Sequence, residues 1–137
     1  KLIGKFINCL MSAGKKSVAQ GIFYSAMDEV VKKIKDKDPV DIFTTAINNV
    51  KPMVEVRSRR VGGATYQVPV PVPQKRQGSL AFRWILASFR GKKGRPAHVK
   101  LADELFACYR GEGDAIKKRD DIHKMAEANK AFAHLAY

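Results

Sequence analysis

Carboxylates are nearly missing from the middle of this sequence. Residues 51–100 hold twelve Lys or Arg and a single acid, Glu55, so this stretch alone carries +11 of the formal +13. The flanks are almost neutral, at +3 over residues 1–50 and −1 over residues 101–137. Such self-repulsion gains a folded chain nothing in stability, and a polyanionic partner is the default inference. Cysteine is scarce too. Cys9 and Cys108 lie far apart, at apolar positions of expected helices. They read as small buried hydrophobes in a reducing compartment, not as a disulfide. His98, His123 and His134 are scattered, with no H-x-x-x-H or C-x-x-C spacing, which argues against a metal site.

No G-x-S-x-G, P-loop or dinucleotide fingerprint occurs. Gly111-Glu112-Gly113 precedes a helix but follows no strand, so it reads as a helix–helix turn. Asp120 and Asp121 are helical neighbours that do not face each other, and they balance Lys117, Lys118 and Lys124. An enzyme is not expected, nor a cofactor. No apolar run approaches the ~20 residues of a membrane span, and the basic block is not one continuous amphipathic helix. Nucleic acid is favoured over membrane. No secretory signal opens the sequence. It starts at Lys1 without an initiator Met, already on a helical pattern, which predicts a preceding N-terminal segment.

What is present is organised around residues 53–72, M-V-E-V-R-S-R-R-V-G-G-A-T-Y-Q-V-P-V-P-V. Two alternating runs flank Gly62-Gly63, the signature of a two-stranded ribbon whose turn needs positive φ. Pairing outward sets Val61 opposite Ala64, Arg59 opposite Tyr66, Arg57 opposite Val68 and Val56 opposite Pro69. Pro69, Pro71 and Pro73 then share the non-bonded parity, where a missing N–H is harmless provided no third strand pairs on that side. The ribbon carries Arg57, Arg59 and Arg60 with no acidic partners and few large apolar residues, so it needs a body or a polyanion to hold it.

The flanks read as helices. Leu2, Ile3, Phe6, Ile7, Leu10 and Met11 form the first apolar stripe, ended by Gly14. A second helix from near Ser17 places Val18, Ala19, Ile22, Phe23, Ala26, Met27, Val30, Val31 and Ile34 on one wide face. Asp38-Pro39 with Asp41 starts a third, carrying Ile42, Phe43, Ala46, Ile47 and Val50 until Pro52. After the ribbon, residues 74–78 read as a short basic link. A fourth helix, about Ser79 to Arg90, is expected to bury Leu80, Ala81, Trp84, Ile85 and Phe89, with Arg83 and Arg90 on another face. Residues 90–96 have the composition of a flexible basic loop. A fifth helix, about Ala97 to Arg110, turns Leu101, Ala102, Leu105, Phe106 and Tyr109 inward. A sixth starts at Asp114 and loosens near Asn129. The expected architecture is mainly α: one domain, 1–137, with a six-helix body and a protruding β-ribbon between helices three and four.

Four segments carry a resemblance: Gly14-Lys15-Lys16, Val54-Glu-Val-Arg-Ser-Arg-Arg-Val-Gly-Gly63, Tyr66-Gln-Val-Pro-Val70 and His123-Lys-Met-Ala-Glu-Ala-Asn-Lys-Ala-Phe-Ala-His134. They resemble the ribosomal small-subunit protein seven family of bacteria and organelles, over essentially the whole chain. The resemblance implies a primary binder of small-subunit ribosomal RNA that nucleates assembly of the head, in the 3′ major domain. It also implies a position beside exit-site tRNA and messenger RNA, with small-subunit proteins nine and eleven as neighbours. The setting would be a ribosome of the bacterial cytoplasm, mitochondrial matrix or plastid stroma. The chain departs from the family pattern at Pro71, where an acid is usual, in a basic N-terminal arm, and at Ala136-Tyr137.

Lys and Arg neutralise phosphates and release counterions, giving salt-sensitive affinity. Discrimination comes from fitting a folded junction, because the A-form major groove is closed to side chains. The candidate ribosomal RNA surface is Lys15, Lys16, Lys75, Arg76, Arg83, Arg90, Lys92, Lys93 and Arg95, joined by Lys117, Lys118 and Arg119 on the sixth helix. Arg57, Arg59, Arg60 and Tyr66 are the ribbon's candidates, for ribosomal RNA or tRNA. The alternative is an architectural protein of double-stranded DNA whose proline-bearing arm wedges into a minor groove. A nucleic-acid enzyme is the weaker rival, because Glu55 alone cannot hold a catalytic metal.

Overall fold

Phe6 is the point from which the helices can be placed. Its ring meets Phe23 at 5.8 Å, Phe43 at 5.2 Å and Phe82 at 5.2 Å between centroids, one ring from each of three other helices. Such tilted and edge-on pairs add about 0.5–1.5 kcal/mol each beyond the area they bury. The computed structural model describes residues 2–11, 14–34 and 37–135, with side chains through Phe132. The helices are α1 (Leu2–Leu10), α2 (Lys16–Lys33), α3 (Pro39–Val50), α4 (Gln74–Gly91), α5 (Ala97–Tyr109) and α6 (Asp114–Ala128), followed by a 3-10 turn, Lys130–Leu135. Strands β1 (Val54–Val61) and β2 (Ala64–Pro71) form one antiparallel ribbon between α3 and α4. The mainly α architecture expected from the sequence is the one found.

Local chemistry accounts for these boundaries. The Asp38 carboxylate accepts the Val40 N–H at 2.9 Å, with Pro39 at the first helical position. All five residues of the α3 stripe are buried. Gly62 and Gly63 take φ of +58° and +85°, the pair of positive values that a tight two-residue hairpin turn requires. The register follows: Arg59 faces Tyr66, Arg57 faces Val68, and Val54 faces Pro71. Gly113, φ +99°, starts α6 where a Cβ would stand 3.0 Å from the Ala107 Cβ, so glycine is required there for space as well as conformation. Asn49 closes α5 by donating from Nδ2 to the carbonyls of Cys108 (3.0 Å) and Tyr109 (3.1 Å).

Several expectations need correction. α4 begins at Gln74, five residues before the expected Ser79, with Pro73 as its N-cap, so Lys75 and Arg76 are helical. Gly78 lowers helix propensity but does not terminate a helix that packs along its length. On α4 the buried aromatic next to Ile85 is Phe82, not Trp84, which is half-buried at the margin of the core. The stripe rotates toward residue 82 because α1 lies on that side and presents Phe6. Val18 is 55% exposed, and Cys9 is exposed while Cys108 is buried. On α5, Glu104 and Cys108 are buried, whereas Phe106 and Tyr109 are half-buried. The Phe106 ring lies under the Lys33 ammonium (5.1 Å) and the Arg110 guanidinium (5.6 Å).

The ribbon is also less detached than its composition implied. Its base is seated: Val68 is 0% and Glu55 8% exposed. Tyr66 packs its ring on Phe132 at 5.0 Å, and the Met53 N–H donates to His123 Nε2 on α6 at 3.0 Å. Residues 60–65, around the turn, stand exposed.

Candidate nucleic-acid interface

The fourth helix gathers cations by spacing alone. Arg76, Arg83 and Arg90 recur every seven residues, which puts them on one face about 10.5 Å apart along the axis. Beside that face runs α1. Lys5, Asn8 and Cys9 of α1 with Ser79, Phe82, Arg83, Leu86, Ala87 and Arg90 of α4 line an open groove of about 640 Å³. Its floor is apolar, its polar rim carries Lys5, Arg83 and Arg90, and no carboxylate of the described residues lines it. Arg90 ties the two helices together, donating from Nη2 to the Cys9 carbonyl at 3.2 Å and so satisfying one of the orphan acceptors at the end of α1. In chemical terms, cations on a rim can neutralise a phosphate backbone and an apolar floor can take ribose or base surface.

The arginines at the ribbon's root are arranged differently. Glu55 Oε1 accepts from Arg57 Nε at 2.8 Å, and Arg76 Nε reaches Oε2 at 2.8 Å and Oε1 at 3.1 Å. Burial alone would raise the Glu55 carboxyl. The hydrogen bonds from Arg76 and Arg57, with their charges, outweigh it and hold the pKa below its ordinary value. The sequence reading that Arg57 has no acidic partner is therefore wrong: the partner is Glu55, two residues away on the same face of β1.

In the basic loop between α4 and α5, cations are likewise tied to acids. Lys92 Nζ lies 3.3 Å from Oε2 of Glu104, a carboxylate with 0% exposure. Glu104 Oε1 accepts the Ala115 N–H at 3.3 Å, where the amide end of α6 favours negative charge. Burial, and then the Glu104 charge, pushes the Cys108 thiol far above its usual range, so it is inert as a nucleophile. Arg95 pairs with Asp103, which also meets Lys33 at 3.4 Å, and Lys100 Nζ donates to the Lys92 carbonyl at 2.9 Å. Both ends of this loop are thus tied to α5.

The other candidates divide in the same way. Arg119 on α6 bonds Asp120 and the Asn49 carbonyl. Lys15, Lys16, Arg60, Lys75, Arg83, Lys93, Lys117 and Lys118 are exposed, and no ion pair is formed by any of them among the described residues. Arg59 and Tyr66, opposite each other on the ribbon, are half-buried. Lys5, Asn8 and Ser79 in the groove were not singled out from sequence. Lys5, Asn8 and Cys9 occupy i, i+3 and i+4, one helical face, and that was the available signal.

A sequence model of the family described as ribosomal protein S7p/S5e matches residues 1–130. A Rhodopirellula baltica protein named small ribosomal subunit protein uS7 is 56% identical over 137 residues, covering 99% of this chain and 87% of its own length. The protein of that name from Pseudothermotoga lettingae is 55% identical over 136 residues, with coverage of 99% and 87%. The one from Thermotoga maritima is 56% identical over 133 residues, with coverage of 97% and 85%.

Proposed function

The chain belongs to the ribosomal protein S7p/S5e family of structural, non-enzymatic small-subunit proteins, and on that premise we propose that it is a primary ribosomal RNA binder nucleating assembly of the subunit head. It acts in translation as a constituent of the small ribosomal subunit. Its relatives named here are bacterial, and a bacterial-type ribosome is the setting. The observation that carries the RNA-binding reading is the groove between α1 and α4, with Lys5, Arg83 and Arg90 on its rim and no acid among the residues lining it. Lys15, Lys16, Lys75, Lys93, Lys117 and Lys118 extend the same sign of charge to solvent and supply the salt-dependent part of affinity. Arg57, Arg76, Lys92, Arg95 and Arg119, already paired within the protein, act as oriented donors. The ribbon, with half-buried Arg59 on its strand and Arg60 at the exposed turn, reaches exit-site tRNA and messenger RNA, and small-subunit proteins nine and eleven are the neighbouring chains. All of this is the work of one domain.

The test is competition. The protein should hold a fragment of the small-subunit RNA head domain against excess duplex DNA at moderate salt. Replacing Arg83 and Arg90 by Gln should weaken that binding and lower the slope of log affinity against log salt by about one for each phosphate left unneutralised. Equal affinity for duplex DNA and the RNA fragment would favour the architectural DNA-binding alternative. An unchanged slope would move the RNA off the groove.

A further inference from the structure

Three charged groups meet where the ribbon joins α4, and their hydrogen-bond geometry is lopsided. Both arginines bond Glu55 through Nε. Both Nε atoms lie within 3.1 Å of the same oxygen, Oε1, so they stand within about 6 Å of each other. A guanidinium offers five N–H donors, and among the described residues no hydrogen bond is formed by the Nη groups of Arg57 or Arg76, which leaves them for an outside acceptor. The side chains are 50% and 42% exposed, whereas the Glu55 side chain beneath them is 10% exposed. Two cations against one buried carboxylate leave a local charge of +1. The deficit is one anion, beside two half-exposed guanidiniums.

We propose that Glu55 is a positioning residue, holding Arg57 and Arg76 as a two-pronged fork for one phosphodiester of folded RNA. The reasoning is electrostatic and entropic together. Two guanidiniums this close repel each other, and without the carboxylate they splay apart. With it, their rotamers are fixed before RNA arrives, which lowers the ordering cost that binding must otherwise meet. Guanidinium donors match phosphate oxygens in planar, paired geometry, which an ammonium does not reproduce. The fork also spans two elements, β1 and α4, so the phosphate it grips reports the angle between ribbon and body. This inference rests on the ribosomal RNA reading and assigns a role within it.

The sign of the Glu55→Gln effect separates the proposal from simple charge. A basic surface that loses a carboxylate gains net positive charge and should bind RNA more tightly. A fork that loses its mount should bind about five- to tenfold more weakly, despite the added charge. The measurement uses the full chain and a head-domain fragment of small-subunit RNA, with circular dichroism melts to confirm folding. Ethylation of RNA phosphates gives a second readout: wild-type protein shows a set of phosphates whose ethylation blocks binding. Glu55→Gln and Arg57→Lys should each lose the same single position from that set and keep the others. A residue that merely staples the ribbon would remove none or shift many. Unchanged or tighter binding by Glu55→Gln with the full set retained overturns the fork. If wild-type protein binds the fragment no better than poly(U), the ribosomal RNA reading fails first, and the fork as a reader of folded RNA fails with it.

Discussion

The Phe6 end of the molecule and the ribbon's root are held by opposite kinds of chemistry. Around Phe6, four rings from four helices meet with no polar atom needed, and the side chains of Phe6, Phe23 and Phe43 are at most 1% exposed. At the root, two buried valines, Val68 and Val72, are accompanied by the Glu55 ion cluster, the Met53–His123 bond and the Tyr66–Phe132 contact. Apolar packing is indifferent to salt and nearly so to pH, whereas exposed ion pairs are worth little in water and are screened. The lesson is a division of tasks. The helical end carries the stability of the fold, and the root carries the direction in which the ribbon points.

The strongest challenge to that comparison is Phe6→Ala. It removes the ring common to three aromatic contacts and should cost about 3–5 kcal/mol of unfolding free energy, read by denaturant titration. A loss below about 1.5 kcal/mol, the range of well-tolerated core changes, would mean that stability resides elsewhere.

Next in size is Lys92→Gln. Glu104 is fully buried, and Lys92 is its one cation among the described residues. The Lys92 side chain is 40% exposed, so the cost of stranding the carboxylate is discounted to about 1–2 kcal/mol. Lys93→Gln, at the adjacent exposed residue, should stay within about 0.5 kcal/mol. Equal effects for the two would show that Glu104 has another source of compensation.

These side chains also mark where sequence reasoning succeeds and where it stops. α3 was legible in full because its start, stripe and end are all local: Asp38, the spacing of Ile42 to Val50, and Pro52. The ribbon register was legible because Gly62-Gly63 fixes every pair outward from the turn. Phe82 was not, since choosing it over Trp84 depends on where α1 packs, and no local pattern contains that. Glu104 escaped for the same reason, and so did half of the Glu55 cluster: Arg57 is a local neighbour on the same strand face and was readable, whereas Arg76 lies 21 residues away. The candidate site was legible as a list of cations but not as two classes, those tied to an acid and those facing solvent.

A smaller effect separates the two ends by pH. The folded-state pKa of Glu55 lies below its ordinary 4.5. The stabilisation it contributes is therefore complete above that value and is lost as pH falls through the lower, folded pKa. The protection of the amides of residues 54–57, relative to exchange of the unfolded chain at the same pH, should fall in that acid window before that of the α3 amides. A simultaneous fall would make the root and the helical end one cooperative unit.

The smallest effect on stability is expected at the ribbon's turn, and there the comparison is most exposed to failure. Deleting Glu55 to Val70 entirely would remove Val68 and Glu55, both buried, so it tests the root as well as the arm. The cleaner variant removes residues 60–65 and joins Arg59 to Tyr66 through Asn-Gly, which adopts the same tight turn. All six deleted residues are exposed, and the Tyr66–Phe132 contact and the Glu55 cluster are kept. Unfolding free energy should change by no more than about 0.5 kcal/mol, as for surface changes away from packed features. Incorporation into reconstituted small subunits should survive, because the groove between α1 and α4 is untouched. Retention of exit-site tRNA should fall, because Arg60 and the turn are gone. A cooperative loss of stability would place the turn in the same folding unit as Phe6. Loss of incorporation with folding intact would make the ribbon the main RNA anchor, and the groove would then be the accessory surface.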